Sequence, residues 1–263
     1  EAGTFGYDLG ALQPMIDESM YLIPKIMVQD EIEHDGEYIQ IPRRPIHPKP
    51  YQDPHPPLYM ACTRADALTT AGARGIGALV LGFAGPDDIA AKNAIYRAAW
   101  ANRKAEDQVG FRPTEHLAAL CPALVLGDRE KARRIGLRGQ RFFVESLGYW
   151  YQGGPKPTVE DLSGDEQAAI LQQEKAAVVA YLSEEKISIG SEHTGAYEEV
   201  QDAYGTPGDC IRYVQRLFDA GADEILFLFQ MGAVPHDVIL ETIRNIGTHV
   251  IPHFRAQVAV AAK

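Results

Sequence analysis

The sequence has few cysteines and no long apolar run, and both shortages exclude classes of protein. Cys62, Cys121 and Cys210 are the only cysteines among 263 residues. They stand far apart without a CxxC pair, so neither a disulfide framework nor a zinc site is indicated. No apolar stretch approaches the roughly 20 residues that span a bilayer, and residues 1–10 lack the features of a signal peptide. We therefore expect a cytoplasmic protein without a membrane partner.

The sequence also lacks a basic stripe and the common catalytic signatures. Its formal net charge is -11 at pH 7, and its Lys and Arg residues do not cluster, which argues against a nucleic-acid partner. There is no GxSxG elbow and no P-loop. The glycines of residues 72–77 close a helix and open a strand, the reverse of the dinucleotide-binding order. His34, His47 and His55 lack the spacing and carboxylate partners of metal ligands, so we expect no metal site.

What the sequence does contain is an alternation of strand and helix patterns. Apolar residues at helical spacing predict a helix over residues 11–29, and the pair Asp35-Gly36 predicts a hairpin after it. The proline-rich run of residues 42–57 is typical of an extended connection, because proline cannot donate a hydrogen bond within a central strand. Three strands, each followed by a helix, are then predicted near residues 58–61, 78–83 and 117–126.

The most informative pattern lies near the end of the chain. Residues 206–209, Thr-Pro-Gly-Asp, predict a capped helix start, and the continuous apolar run of residues 224–230 indicates a strand buried on both faces. The closing helix, near residues 235–250, is predicted to turn four apolar residues inward: Val238, Ile239, Ile243 and Ile246. Repeated β/α units with apolar strands predict an α/β protein, either a barrel or a doubly wound sheet.

One stretch departs from this alternation. Residues 148–204 are rich in Ala, Glu and Gln, and the stretch is too long for an ordinary loop, so we predict a helical insertion or lid there. The chain then divides into a partial α/β barrel over residues 1–147, the insertion over residues 148–204, and a last helix-strand-helix with a tail over residues 205–263.

Four stretches of the chain occur in an order and spacing that is typical of one family. They are His34-Asp35-Gly36-Glu37-Tyr38, the proline-rich run of residues 48–58, Ala61-Cys62-Thr63 with Gly75-Ile76-Gly77, and Gly205-Thr206-Pro207 with Gly221-Ala222-Asp223-Glu224. Together they resemble the luciferase-like monooxygenases, which depend on flavin or deazaflavin. The resemblance implies a TIM barrel whose fifth to eighth strands are those near residues 58–61, 78–83, 117–126 and 225–230.

The same resemblance implies that the first four β/α units of the barrel are not in this sequence. Half of a barrel would leave open strand edges and a cut core, which folded proteins avoid. Three explanations are open: a truncated reading frame, a separately encoded N-terminal piece, or a shortened protein that closes its sheet as a homo-oligomer.

The best candidate site follows the first predicted strand of this barrel. Ala61, Cys62, Thr63 and Arg64 leave a strand and enter a helix, where free N–H groups and the positive helix end attract a phosphate. The resemblance to the luciferase-like monooxygenases implies that this turn holds the flavin phosphate. The structural alternatives are that Thr63 is only an N-cap and that Cys62 is only a small buried apolar residue.

Further candidates lie at the ends of the other strands. The resemblance implies that Gly82 and Phe83 abut the flavin ring, although Phe83 is equally suited to a core. Gln230 and Gly232 offer an amide and a close backbone approach to flavin or substrate, with a capped strand end as the alternative.

Substrate contacts are expected from an aromatic cluster and one histidine. Tyr149, Trp150 and Tyr151 in the insertion can cover an apolar substrate, or pack as a structural staple. His236 lies at the predicted barrel mouth, where an ordinary surface histidine is also expected. The family's catalytic histidine belongs to the early strands, so no catalytic residue is assigned.

The resemblance implies a flavin-dependent monooxygenase that uses reduced FMN and oxygen on a small organic substrate. It implies a flavin reductase as a partner. Two alternatives stay open: a hydride-transfer enzyme that uses the deazaflavin coenzyme F420, and a non-catalytic or truncated flavin-binding fragment or subunit.

Overall fold

The computed structural model of the protein describes residues 5–6, 8–82, 85–167, 169 and 203–261. Its strands are β1 (Glu31–Asp35), β2 (Gln40–Pro45), β3 (Tyr59–Cys62), β4 (Gly77–Leu81), β5 (Leu117–Pro122), β6 (Leu124–Val125), β7 (Tyr204–Gly205) and β8 (Glu224–Leu228). Its α-helices are α1 (Leu12–Val28), α2 (Ala65–Ala73), α3 (Pro86–Ala101), α4 (Arg129–Gln152), α5 (Pro207–Asp219), α6 (His236–Asn245) and α7 (Ile251–Ala261). A π-helical turn, Ile246–Val250, joins α6 to α7.

A parallel four-stranded sheet with the order β3-β4-β5-β8 forms the centre of the fold. Successive strands are joined by helices, so the prediction of an α/β protein is confirmed. The four predicted strands are found with ends shifted by at most two residues, except that the third breaks after Pro122. Their carboxyl ends therefore meet at one edge of the sheet, which we call the mouth.

Helices cover one face of this sheet. The buried strand residues on that face include Cys62, Ala78, Val80, Ala119 and Cys121, each at most 3% exposed. Helix α2 adds Leu68, α3 adds Tyr96 and α5 adds Leu217 to the same cluster. Removing so much apolar surface from water stabilises the fold by roughly 1.5–3 kcal/mol for each large side chain.

The opposite face of the sheet is apolar but only half-covered. Its partly exposed side chains are Leu79, Leu81, Leu120, Leu226 and Leu228. Leu226 keeps 38% of its surface accessible, so the prediction that residues 224–230 form a strand buried on both faces is wrong. The reason is that α2, α3 and α5 all lie on the other face.

The closing helix shows a similar departure. Val238 and Ile246 are buried as predicted, and Ile239 is half-buried. Ile243 is 48% exposed, so the prediction that it turns inward is wrong. Its side chain lies on the solvent-facing side of α6.

The chain changes sheets at the break after Pro122. The Ala123 N–H still donates to the Leu228 carbonyl oxygen at 3.1 Å, and β6 then pairs with β7 in a separate two-stranded parallel sheet. Helix α5 begins directly after β7 with the predicted cap, because Thr206 and Asp209 each accept a hydrogen bond from the other's backbone N–H. This capping box fixes the direction of α5.

The N-terminal part is a helix tied to a hairpin. Strands β1 and β2 are antiparallel, which confirms the predicted hairpin, and β2 takes up the start of the proline-rich run as one strand of a two-stranded sheet. Glu18 of α1 accepts hydrogen bonds from the backbone N–H groups of Tyr38 and Ile39 at 2.9 and 3.0 Å, and lies 2.7 Å from His34 Nε2. Glu18 therefore anchors α1 to the hairpin.

Helix α4 is long and runs through residue 148, where the predicted insertion begins. The chain after it returns along the helix, because the Thr158 N–H donates to Glu145 at 2.8 Å and Arg134 donates to Asp161 at 2.9 Å. Residues 168 and 170–202 of the predicted insertion lie outside the described residues, so its extent as a domain stays a prediction.

Candidate functional site

The mouth brings three of the predicted groups to one edge of the sheet. Residues 61–64 end β3, Gly82 follows β4 and Gln230 follows β8. Because parallel strands present their carboxyl ends to the same side, these groups share the position at which α/β proteins bind ligands. Phe83 lies outside the described residues.

The turn between β3 and α2 has an uncapped helix start. Arg64, with φ -128° and ψ 159°, is the N-cap residue, and its side chain accepts no hydrogen bond from the helix. The alternative that Thr63 is the N-cap is therefore wrong, and its side chain is exposed beside the turn. Without an N-cap side chain, the first N–H groups of α2, before that of Ala67, are suited to an anion at the positive helix end.

Asp66, which sequence reasoning missed, determines the charge at this turn. The Arg64 guanidinium binds its carboxylate through two contacts of 3.0 Å, from Nε and from Nη2. The Ala67 N–H donates to the same carboxylate at 2.8 Å. Asp66 stands in the first turn of a predicted helix, where acidic residues are common, so its sequence position does not distinguish it for this role.

Cys62 points its side chain away from this turn into the helix-covered core. The thiol is 1% exposed and lies 3.4 Å from the Met60 carbonyl oxygen, to which it donates. Burial raises the pKa of Cys62 to about 12. A protonated, buried thiol behaves as a small apolar side chain, so only the backbone of Cys62 is suited to a ligand at the mouth.

Gly82 has a structural reason to be glycine. Its N–H donates to the Leu120 carbonyl oxygen at 2.8 Å, and a Cβ at this position would lie 2.5 Å from that oxygen. The close approach of β5 therefore requires glycine here, whether or not a flavin ring lies above it.

A hydrogen bond from a side chain to the backbone closes the loop after β8. The Gln230 side-chain amide donates to the Gly232 carbonyl oxygen at 2.9 Å, and Gln230 is otherwise exposed. Gly232 has φ +57°, and a Cβ there would meet the Phe142 side chain of α4 at 3.0 Å. This geometry matches the alternative of a capped strand end.

The aromatic cluster lies further along α4. Tyr149 and Trp150 pack edge to face, with ring centroids 5.4 Å apart, and Trp150 is 77% exposed. The helix meets the loop after β8 at Phe142, which places Tyr149 about 10 Å further along the helix axis. The side chain of Tyr151 lies outside the described residues. His236 is exposed at the first residue of α6.

A buried ion pair that sequence reasoning also missed supports the mouth. Lys92 of α3 contacts Asp88 at 2.5 Å and donates to the Leu81 carbonyl oxygen at 2.8 Å, at the end of β4. Both side chains are less than a tenth exposed. The i, i+4 spacing on a helix was the available signal, but such pairs usually lie on solvated faces.

The described residues contain neither a cluster of metal-binding side chains nor a membrane-spanning helix. No group of three or more His, Cys, Asp or Glu side chains in the described ranges is arranged to hold a metal ion. Within the same ranges, no helix combines the length and the apolar character needed to cross a membrane.

The sequence of the chain matches a family whose members the resemblance already indicated. A sequence model of the luciferase-like monooxygenases matches residues 1–224. The chain belongs to this family. The match includes all four stretches that carry the resemblance, the last of which ends at Glu224. None of the curated proteins matches the chain.

Solved structures give the same fold. The chain is similar to the monooxygenase RslO1 from Streptomyces bottropensis, with TM-score 0.61 and 17% identity over 96% of this chain and 65% of that one. The oxygenating constituent of 3,6-diketocamphane monooxygenase from Pseudomonas putida, in complex with FMN, has TM-score 0.56 and 15% identity over 92% and 63%. The coenzyme F420-dependent tetrahydromethanopterin reductase from Methanopyrus kandleri has TM-score 0.55 and 18% identity over 93% and 63%.

The chain thus spans 63 to 65% of the length of these three structures. At such low identities the likeness establishes the fold, an α/β fold that resembles luciferase-like barrels. Flavin and deazaflavin both occur among these similar structures.

Proposed function

We propose that the chain is the flavin-phosphate-binding part of a luciferase-like oxidoreductase that uses reduced FMN and oxygen on a small organic substrate. One observation carries the proposal: α2 begins without a side-chain cap directly after β3, beside the exposed Thr63. Membership of the family supports a flavin as the anion that this turn binds.

The residues of the turn fit a phosphate. A phosphate monoester needs several N–H or O–H donors and a positive potential. The first turn of α2 offers backbone N–H groups at the positive helix end, Thr63 offers a hydroxyl, and Arg64 offers a guanidinium. Asp66 opposes an anion, but its contact with Arg64 balances that charge.

The remaining mouth residues have proposed roles around the ring of the cofactor. A bound reduced flavin supplies the electrons for oxidation of the substrate. Gly82, Phe83, Gln230 and Gly232 position the ring by close approach and by the Gln230 amide. Half-exposed leucines at the strand ends, among them Leu81 and Leu228, exclude water from one side of this position.

Substrate contacts and partners belong to the same proposal. Tyr149, Trp150, Tyr151 and His236 are the proposed substrate or lid residues. A flavin reductase supplies reduced flavin, and the protein acts in the cytoplasm. We assign no catalytic base among the described residues.

Two other functions have specific support. Coenzyme F420 is named for two similar structures, and its phosphate-bearing tail suits the same turn, so a deazaflavin-dependent hydride transfer is the first alternative. The chain spans less than two thirds of its solved relatives, which favours a flavin-binding piece without turnover as the second.

The test is a comparison of FMN with riboflavin, which lacks the phosphate. The purified chain is titrated with each while flavin fluorescence is followed, and oxygen uptake is measured with NADH and a flavin reductase. We expect FMN to bind at least about ten-fold more tightly than riboflavin, since several charge-assisted hydrogen bonds are lost without the phosphate. Equal binding would contradict the phosphate site, and F420 binding in place of FMN would favour the first alternative. Tight FMN binding without oxygen uptake would favour the second.

A further inference from the structure

The last peptide group of β4 is held from both sides. The Gly82 N–H donates to the Leu120 carbonyl oxygen of β5 at 2.8 Å. The Leu81 carbonyl oxygen, in the same peptide group, accepts a hydrogen bond from Lys92 Nζ at 2.8 Å. Because the N–H and C=O of one trans peptide point in opposite directions, this group is fixed between a neighbouring strand and a helix side chain.

Lys92 takes a position that β3 would fill if it were longer. Residues of β4 bond alternately to their two neighbours, and the Gly77 N–H donates towards β3, to Leu58. Leu81 is four residues further on, so its carbonyl oxygen points to the same side. Strand β3 ends at Cys62, and the chain then turns into α2. Lys92 therefore supplies a donor at the place where β3 leaves the sheet.

Asp88 directs the Lys92 side chain towards this carbonyl oxygen. Both residues stand on α3, one turn apart, and the Asp88 carboxylate contacts Lys92 Nζ at 2.5 Å. Their side chains are 9% and 8% exposed. Ile89 lies in the same turn, 3.7 Å from the position of a Cβ on Gly82. The pair thus ties the first turns of α3 to the end of β4, beside the mouth.

Stability alone does not account for a buried ion pair at this place. The cost of removing two charges from water often exceeds what their attraction returns, and apolar side chains of similar volume stabilise a protein as well or better. An apolar pair, however, offers no donor to the Leu81 carbonyl oxygen. The specific contribution of the pair is therefore the direction of one backbone peptide group.

We propose that Lys92 and Asp88 are positioning residues of the flavin site, which hold the Leu81–Gly82 peptide where it meets the flavin ring. Their role rests on the proposed function, in which Gly82 allows the ring to approach the backbone. A peptide released from Lys92 can rotate about its flanking bonds and move into the space of the ring. FMN and riboflavin have the same ring, so the pair affects both, whereas Thr63 acts on the phosphate of FMN alone.

The test variant combines Asp88→Asn with Lys92→Met, because removing both charges leaves neither one buried and unpaired. The matched control is Tyr96→Phe, one turn further along α3. Tyr96 is fully buried, and its hydroxyl donates to the Ile76 carbonyl oxygen at 3.1 Å, just before β4 begins. The two variants therefore remove buried hydrogen bonds at opposite ends of one strand.

Urea unfolding shows whether each variant folds. Asp88→Asn combined with Lys92→Gln, whose shorter side chain keeps a buried amide, replaces the methionine variant if that chain does not fold.

The first measurement is hydrogen exchange of the Gly82 amide, by NMR of the full chain without flavin. Relative to the Val80 amide, we expect Gly82 to exchange at least about ten-fold faster in the double variant, which is the effect of roughly 1.4 kcal/mol. In Tyr96→Phe we expect this ratio to be unchanged, while the His116 amide, which donates to the Tyr96 hydroxyl at 3.1 Å, exchanges faster. An unchanged ratio in the folded double variant would overturn the positioning role.

The second measurement is titration of each variant with FMN and with riboflavin. In the double variant we expect both flavins to bind more weakly by the same factor, at least about three-fold, which is the scale of one lost contact. We also expect altered visible circular dichroism of bound FMN. Tyr96→Phe should change neither, and Thr63→Ala should change only the ratio of FMN to riboflavin affinity.

The outcomes separate this role from the proposed function. If the unaltered chain binds neither flavin, the proposed function fails, and the role of the pair fails with it. If the unaltered chain binds FMN and the double variant binds both flavins equally well with the same dichroism, only the positioning role fails. Equal changes in the double variant and in Tyr96→Phe would show a general effect on stability and would also refute that role.

Discussion

Single atoms at the mouth decide how closely the strands approach. The absent Cβ of Gly82 allows the Leu120 carbonyl oxygen to accept its N–H, while the exposed hydroxyl of Thr63 stands at the start of α2. Gly82 shapes the site because it lacks a Cβ atom, and Thr63 because it offers a hydroxyl group. Substitutions at the two positions therefore have separable effects on stability and on binding.

Thr63→Ala removes one proposed phosphate donor. We expect FMN affinity to fall about five-fold, or about 1 kcal/mol, with riboflavin affinity unchanged. Asp66→Asn removes the opposing carboxylate and releases Arg64, so FMN affinity is expected to rise a few-fold. Fluorescence titration checks both. Unchanged FMN affinity in Thr63→Ala together with weaker FMN binding in Asp66→Asn would contradict an anion at this turn.

Gly82→Ala is expected to destabilise the protein by about 1–3 kcal/mol, because its Cβ would overlap a backbone oxygen that cannot move aside. Gly148→Ala is the matched control, since a Cβ there meets nothing within 4 Å. Alanine in that helix position should raise stability by up to about 1 kcal/mol. Urea unfolding measures both, and an unchanged free energy for Gly82→Ala would remove the structural reason for this glycine.

The three cysteines are expected to resist alkylation. Burial raises the pKa of Cys62 and of Cys210 to about 12 and that of Cys121 well above its ordinary value. Iodoacetamide at pH 8 should modify none of them in the folded protein and all three in denaturant, as read by mass spectrometry. Thiols of the unfolded chain ionise near pH 9, whereas the buried thiols of the folded protein stay protonated to higher pH. The free energy of unfolding should therefore decline as the pH rises above 9.

At the scale of elements, the start of α5 joins two helices. Asp209 is 5% exposed and contacts both Arg129 of α4 and Arg212 of α5. Burial raises the pKa of Asp209, but hydrogen bonds from Thr206 and the charge of Arg129 outweigh it, so the pKa lies below 3.8. One carboxylate thus caps α5 and attaches α4 to it.

Asp209→Asn is expected to cost about 1–3 kcal/mol of unfolding free energy, because the charge-assisted contacts to both arginines are lost. The contribution of the native carboxylate is present above pH 3.8 and is lost as the pH falls through its lowered pKa. Asp165→Asn, at an exposed ion pair with Arg133, is the control and should change little. Equal effects of the two variants would show that the buried carboxylate has no special role.

Which elements form was predictable from local patterns, because caps, prolines and apolar runs act over a few residues. The capping box at Thr206 and the strand at residues 224–228 are examples. Which faces are covered was not predictable in the same way. An apolar run has the same appearance whether one face or both are packed. For this reason Leu226 and Ile243 were predicted to be buried, although both are exposed.

The candidate site was predictable only in outline. The strand-to-helix turn at residues 61–65 follows from the sequence, but the identity of the N-cap depends on the backbone angles of Arg64. The contact between Lys92 and the end of β4 joins residues 11 apart through the fold. Such contacts depend on how α3 lies on the sheet, which no local pattern specifies.

At the scale of the whole molecule, protection of backbone amides should follow the position of each strand. The central strands β4 and β5 have neighbours on both sides and are expected to exchange amide hydrogens most slowly. In a monomer, β3 and β8 should exchange faster on their outer edges. Hydrogen exchange with mass spectrometry checks this order, and edge strands as slow as the centre at low protein concentration would contradict it.

The break after Pro122 also has a consequence for how the chain is made. Strand β6 pairs with β7, and β5 pairs with β8, both of which are synthesised only after a long intervening segment. On the ribosome, β3, β4 and β5 can associate as they emerge, whereas the edge of β5 stays open until β8 follows. Closing so long a loop is slow. The nascent chain therefore carries an unfinished apolar strand edge for much of its synthesis, which is the period in which a chaperone would bind it.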